Sequence, residues 1–218
     1  LDINEAERLT LLSQSLSHIE NSVKERPFYT RTYILGGLLA NTQYELDRDI
    51  KSKERAESYF QKASMLSPKR ASILKGWALI DLVDKNFNGA EEKLLRALTI
   101  NPDSQEIHWL LAITYLRAGN LDGFQKEFTE EIQRNPAIES EENILKIADI
   151  CFRELKNYQC AADFFTRITE KDPHNPKYWT SLALSLKLSG NIHGARQAAE
   201  YAKTIADPSL KKVIDEFL

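Results

Sequence analysis

Proline and a set of small residues return along this chain at a nearly fixed interval. Pro68, Pro102 and Pro136 stand 34 residues apart, and Pro173 follows after 37. Ala56, Ala90, Phe124, Ala161 and Ala195 step by 34, 34, 37 and 34. Four residues beyond each lie Phe60, Leu94, Phe128, Phe165 and Ala199, and three further lie Ala63, Ala97, Glu131, Ile168 and Ala202. Offsets of four and seven share one face of an α-helix. Each unit also holds an earlier amphipathic run with a small residue near its middle: Gly37, Ala78, Ala112, Ala148 and Ala183. Between the two runs stand "DKNF" (84–87), "AGNL" (118–121), "LKNY" (155–158) and "SGNI" (189–192). Asn and Gly there are expected to end the first helix in the left-handed conformation. Each unit therefore reads as helix, tight turn, helix, then a Pro-marked turn. One such hairpin cannot bury its apolar face alone, and stacked hairpins can.

Composition narrows the function classes. The chain has 218 residues, 42% of them apolar, and a net charge of −3. No apolar run approaches the roughly 18 residues of a membrane span. The charge balance implies neither a strongly basic nucleic-acid binder nor an acidic tail. The first residue is Leu rather than Met, so the chain reads as a fragment or a processed product. Its two cysteines, Cys151 and Cys160, are too few for a disulfide framework. They are expected to be buried thiols behaving as small hydrophobes. A bridge pinning one hairpin is the alternative, in an oxidising compartment.

With its phase set by these residues, the chain resembles the tetratricopeptide repeat family. Residues 176–209 match the family's 34-residue pattern through Trp179, Leu182, Ala183, Leu186, Gly190, Ile192, Ala195 and Ala202. Residues 71–104 match through Leu74, Ala78, Phe87, Ala90, Leu94, Ala97 and Pro102. Residues 105–138 match through Leu111, Ala112, Tyr115, Gly119, Leu121, Phe128 and Pro136. The resemblance covers roughly residues 30–209 and implies an all-α fold, a right-handed α-α superhelix of about five hairpins. The array is expected over 28–209, with units at about 28–68, 69–102, 103–136, 137–173 and 174–207. An N-terminal capping helix is expected within 1–27, from Ile3, Ala6, Leu9, Leu12, Leu16 and Ile19 at helical spacing before Pro27. A C-terminal capping helix is expected at 208–218, with Leu210, Val213 and Phe217 turned inward.

Two departures from the pattern carry expectations of their own. Gly37 and Ala56 are 19 residues apart, where three of the other four pairs need 12. The excess around "YELDRDIKS" (44–52) is expected to extend the inter-helix turn as a polar loop. Phe124 and Glu131 stand where the pattern asks for small residues. That second helix is expected to stand slightly off its neighbour, through repeat degeneracy or, alternatively, a partner contact.

Chemistry-bearing patterns are missing. His18, His108, His174 and His193 are scattered, and none shares a metal-ligand spacing with Cys, Asp or Glu. No phosphate loop, nucleophile elbow or zincin helix occurs. Runs such as "EFTEEI" (127–132) read as solvated faces. No enzymatic activity, cofactor or metal is expected.

The resemblance also implies a place for binding, because the first helix of each unit in such arrays lines a concave groove. By register this gives Arg31, Ile34, Leu38 and Asn41 from the first unit, and Lys75, Leu79, Leu82 and Val83 from the second. Glu106, Trp109, Ile113, Leu116 and Arg117 follow from the third, then Leu145, Asp149, Phe152 and Arg153, then Lys177, Thr180, Leu184 and Lys187. Leu79, Trp109, Ile113 and Leu116 are expected to form an exposed apolar patch with a charged rim, centred on Trp109. The alternative is that these side chains complete the core or lie under the N-terminal helix. The family's Lys/Arg and Asn clamp for chaperone tails is not matched by Ile34, Leu38, Lys75 and Leu79. An amphipathic helix or an apolar extended segment of a protein is the expected partner, with no nucleic acid and no membrane contact by these residues.

The stretch "YILGGLLANTQYELDRDIKSKERAESYFQKASMLSPKR" (33–70) is in addition similar to the tetratricopeptide tails of bacterial O-antigen ligase and polymerase-like membrane proteins. Two functions are thus expected: an interaction scaffold, or the soluble domain of a polytopic glycan-handling enzyme. The corresponding locations are the cytoplasm, or a soluble domain held by a membrane-anchored parent. Apolar helices upstream of Leu1 would favour the second.

Overall fold

In a computed structural model, which describes residues 4–217 and the side chains of 4–216, the fold is all-α, and no strand occurs among the described residues. The chain folds as two compact units, residues 1–114 and 115–218. The first holds α1 (Glu5–Glu25), α2 (Thr30–Asp47), α3 (Ile50–Leu66), α4 (Ala71–Val83) and α5 (Phe87–Ile100). The boundary falls inside α6 (Gln105–Arg117). The second unit continues with α7 (Leu121–Arg134), α8 (Glu141–Asp149), α9 (Tyr158–Lys171), α10 (Pro176–Leu188), α11 (Ile192–Ile205) and α12 (Pro208–Phe217).

The recurring Asn does a different job from the one expected. Asn86, Asn120, Asn157 and Asn191 begin the second helices rather than ending the first. Each side-chain carbonyl accepts the backbone N–H three residues on, at Gly89 (3.2 Å), Gly123 (3.0 Å), Cys160 (3.1 Å) and Gly194 (3.0 Å). An N-cap of this kind satisfies one of the orphan donors at a helix start. The left-handed residue is the one before, namely Lys85, Gly119, Lys156 and Gly190, with φ of 58°, 75°, 52° and 92°.

The recurring small residues lie in the core. Ala56, Ala78, Ala90, Ala112, Ala148, Ala161 and Ala183 are all 0% exposed. In the first unit Leu16, Tyr33, Ile34, Ala40, Ala56, Phe60, Ala63, Ile73 and Ile80 form one core, flanked by Leu38, Tyr59 and Trp77. Leu16 brings α1 into it, with Leu9, Leu12 and Ile19 half-buried and Ala6 exposed; Ile3 lies outside the described residues.

The seven extra residues of the first hairpin are not a loop. Helices α2 and α3 run 18 and 17 residues, against 13 and 14 in α4 and α5, and the turn is only Arg48–Asp49. Seven residues are close to two α-helical turns, so one turn added to each helix keeps the facing residues in register. The tight turn is held by Arg48 at φ 53°. Asp47 Oδ1 accepts the Asp49 N–H at 2.9 Å, and Asp49 Oδ1 accepts the Lys51 N–H at 3.0 Å. The lengthened end meets α4 in a polar knot. Lys53 Nζ lies 2.6 Å from Asp84 Oδ2, the Tyr44 hydroxyl donates to Asp84 Oδ1, and Arg48 Nη1 donates to the Val83 carbonyl at 2.8 Å.

In the second unit Phe124 and Glu131 are 2% and 1% exposed, so neither offers a partner contact. Phe124 stacks on Phe128 (5.3 Å), and both meet Phe164 of α9 at 5.9 Å. The guanidinium of Arg167 lies over Phe164 and Phe128, and its Nη1 is 3.2 Å from Glu139 Oε1. Glu131 is buried with Arg134 Nη1 at 3.0 Å. Phe124 and Phe128 thus serve the next hairpin, through Phe164. The last core is mostly small: Ala162, Leu182, Ala183, Ala198, Ala199, Ala202, Ala206 and Ile214. It is Ile214, not Val213, that α12 turns inward: Val213 is 51% exposed, Leu210 is half-buried, and the Phe217 side chain lies outside the described residues.

The 37-residue interval also resolves into parts. The connection before α8 spans 135–140 and contains a 3-10 turn, Pro136–Glu139, where 101–104 suffices before α6. The third extra residue is in the helix itself, which ends in a π-helical turn, Ile150–Glu154. From 141 to 154 it is one residue longer than the 13 of α4, α6 and α10. The Cys pair is bonded rather than free: Cys151, in this π turn, is joined to Cys160 on α9, with Cα atoms 5.7 Å apart.

Candidate functional site

The residues expected to line a groove divide sharply. Ile113 is 2% and Leu116 0% exposed, and Ile107, Leu111, Ala112 and Thr114 are also at 2% or less. Helix α6 is apolar on most of its faces, and such a helix is buried rather than displayed. The patch centred on Trp109, Ile113 and Leu116 is therefore not an open surface, although Trp109 itself is half-buried. Ile34 and Leu82 are buried as well, at 8% and 9% exposed, because the faces carrying them pack within the first unit. Leu38, Lys75 and Leu79 are half-buried, and Lys75 is ion-paired with Glu106. Arg117 is half-buried, with Nη2 3.1 Å from Glu154 Oε1.

Four of the expected residues do come together around open space. Asp149, Phe152, Arg153 and Leu184 face a cleft of about 410 Å³ in the second unit, which is also lined by Phe165 and Ser181. One wall is the end of α8 and its π turn, which carry Asp149, Phe152 and Arg153. The other is α10, with Ser181 and Leu184 three residues apart on one face. Phe165 reaches the cleft from α9 and also packs against the core of the last hairpins. The register reading missed Phe165, because its position on a second helix assigns it to packing. Its size gave no signal, because the equivalent residues Phe60, Leu94 and Phe128 are also large and are fully buried.

The cleft joins apolar walls to a charged rim. Phe152, Phe165 and Leu184 are half-buried, so each keeps surface to give. The Phe152 ring is braced edge-on by Tyr158 at 5.3 Å. Arg153 Nε and Asp149 Oδ1 pair at 2.5 Å in solvent, with side chains 77% and 56% exposed. Such an exposed pair contributes little stability, so it can exchange partners cheaply. Helices α8 and α10 are tied at their first turns, where the Tyr178 hydroxyl donates to Glu141 Oε1. That hydrogen bond, with burial adding to it, pushes the Tyr178 hydroxyl up to about 12. Among the described residues no group of three or more His, Cys, Asp or Glu is gathered to hold a metal ion, and no helix is long and apolar enough to cross a membrane.

Comparison with known proteins places this architecture in a class. No family model matches the chain. The structure resembles YrrB, described as a TPR protein with an unusual peptide-binding site, at TM-score 0.58 and 16% identity, covering 92% of this chain and 98% of that one. It resembles PilW, a type IV pilus biogenesis factor, at TM-score 0.64 and 14% identity, covering 93% and 90%. A tetratricopeptide repeat protein from Parabacteroides merdae aligns at TM-score 0.60 and 17% identity, covering 90% and 74%. At these identities the likeness is one of fold: the chain has the tetratricopeptide-type helical-hairpin fold. In sequence, tetratricopeptide repeat protein 21A of Mus musculus is 27% identical over 125 residues, 57% of this chain. That match spans 9% of the mouse protein's length.

Proposed function

We propose that this chain is a non-catalytic protein-interaction scaffold that takes a peptide segment through the cleft between α8 and α10. The observation that carries the reading is the meeting of Phe152, Phe165 and Leu184 around open space with Asp149, Arg153 and Ser181 at its edge. Apolar anchors surrounded by polar groups are how short segments are held, with one or two side chains seated and the rest of the segment lying across the rim. The peptide-binding site named for YrrB lies on the same fold. The occupant that fits is a segment presenting an apolar side chain beside a charged or amide group that can displace one member of the Arg153–Asp149 pair.

Selection from a displayed peptide library tests this directly. Peptides enriched on the wild-type chain should lose at least tenfold in affinity with Phe152→Ala and with Leu184→Ala, while the melting temperature stays within a few degrees. Selected peptides that bind both variants as well as wild type would place the working surface elsewhere. The other reading, a domain of a glycan-handling membrane protein, rests on the stretch 33–70, which forms the α2–α3 hairpin.

A further inference from the structure

The repeat explains why the two cysteines meet. The third residue of the second helix is Gly89, Gly123 and Gly194 in three hairpins, and Cys160 in the fourth. It is a point of close approach. A Cβ at Gly89 would fall 2.9 Å from Asp81 Oδ1, and one at Gly123 would fall 3.0 Å from Tyr115 Cγ. In both hairpins the nearest atom is the cap asparagine's amide, Asn86 Nδ2 or Asn120 Nδ2, and the first-helix residue beside it is eight positions earlier. At Cys160 the facing residue is Cys151, nine positions earlier, because the π turn adds one residue. Where the hairpins of Gly89 and Gly123 leave that place without a side chain, this one fills it with a covalent bond.

That bond ends inside the cleft wall. Cys151 directly precedes Phe152 and Arg153, and all three belong to the π turn. The opposite end, Cys160, stands two residues from Tyr158, whose ring braces Phe152. Single π turns are rare and less well bonded than α-helix, and they concentrate at functional positions. If the turn relaxed to α geometry, its residues would rotate by about 100° around the helix axis, carrying Phe152 away from Leu184.

We propose that the Cys151–Cys160 bridge is a redox latch on this cleft: bonded, it holds Phe152 and Arg153 in the wall, and reduced, it lets the π turn go. This rests on the cleft being the binding site. Cys151 is fully buried and Cys160 is partly exposed, so a reductant reaches the Cys160 sulfur first. A thiolate of an external dithiol attacks Cys160 Sγ, the S–S bond breaks, and Cys151 leaves as a thiolate that takes up a proton. The second thiol of the reductant then attacks the mixed disulfide and frees Cys160 as a thiol. The dithiol ends as a cyclic disulfide, having supplied two electrons and two protons. The latch is closed in an oxidising compartment and opens in a reducing one.

The test compares the full chain, oxidised and after dithiothreitol, by intact mass and by amide hydrogen exchange. Oxidised protein should lack free thiols. Reduction should speed exchange at residues 150–156 at least tenfold and leave 195–202 unchanged. A Cys151→Ser/Cys160→Ser double variant should match the reduced protein and ignore dithiothreitol. A peptide selected on oxidised protein should bind at least fivefold more weakly after reduction. Two free thiols in the oxidised sample, equal exchange in both states, or equal acceleration at 195–202 would each overturn the latch. So would altered exchange with unaltered peptide affinity. If no peptide can be selected at all, the cleft reading fails while the exchange result still reports whether the bridge controls the π turn.

Discussion

The ring of Phe60 occupies the space that a side chain on Gly37 would need. A Cβ at Gly37 would lie 2.7 Å from Phe60 Cζ, and one at Gly76 would lie 2.6 Å from Phe60 Cε1. The ring of α3 is thus clasped by the bare backbones of α2 and α4 and cannot retreat from either. In an open helix Gly→Ala would gain about 1 kcal/mol of propensity. Here overpacking outweighs that gain, and Gly37→Ala should destabilise the first unit by about 1–3 kcal/mol net. Urea unfolding measures it. Adding Phe60→Leu should recover part of the loss, and strict additivity of the two would deny the contact.

Ala90 is fully buried on α5, on the face that also carries Leu94 and Ala97. Ala90→Glu puts a carboxylate there without a cation to meet it. The cost should be about 3–5 kcal/mol, the scale of an uncompensated buried charge. An unchanged melting temperature would show that the assigned face is wrong.

The knot at the end of the first hairpin makes stability depend on pH at both extremes. Burial pushes the Asp84 carboxyl up, but the hydrogen bonds from Lys53 and Tyr44 outweigh it and hold the group below the usual carboxylate range. Its contribution is therefore present above the ordinary Asp value of 3.8 and is lost as pH falls through the depressed folded value. Tyr44 is raised, chiefly by its hydrogen bond to Asp84, so its contribution is present below 10.0 and is lost as pH climbs through the higher folded value. Lys53, raised by its hydrogen bond to Asp84, follows the same direction from 10.5. Asp84→Asn should cost about 1 kcal/mol at neutral pH, on the scale of one net hydrogen bond, and should flatten the acid limb of a stability–pH curve. A variant with an unchanged acid limb would remove Asp84 from that role.

Tyr178 provides a spectroscopic handle on the α8–α10 pair. Its hydroxyl should ionise at about 12, against an ordinary value of 10.0, because ionisation breaks the hydrogen bond to Glu141. The sign of the linkage follows: the bond supports the folded state below pH 10 and is lost as pH rises through about 12. Subtracting the ultraviolet titration of Tyr178→Phe from that of wild type isolates this one tyrosine. Glu141→Gln should bring its midpoint back towards 10, and a midpoint near 10 in wild type would show the bond is not held in solution.

What the chain determined by itself is what can be decided within one helix or one hairpin. Apolar spacing of four and seven, a recurring Asn in the inter-helix turns and Pro at the unit ends are local signals, and they produced the all-α repeat and its phase, although each Asn caps the second helix rather than ending the first. The small residues at Ala56, Ala78, Ala90 and Ala183 were legible for the same reason, since close packing of paired helices recurs in every unit. Of the candidate site, Asp149, Phe152, Arg153 and Leu184 were legible from register. What only the tertiary structure decided depends on neighbours remote in sequence. Whether Ile113 and Leu116 face water is set by what packs on α6, not by their place on its stripe. The extra residues near 44–52 could have formed a loop or two helical turns, and the contacts of Tyr44, Lys53 and Arg48 with α4 chose helix. The bond between Cys151 and Cys160 needed a register shift of one residue, made by a π turn whose stability comes from α9 packed against it. Phe165 enters the cleft for the same reason: a side chain's solvent is assigned by the elements around it, and those come together only when the hairpins stack.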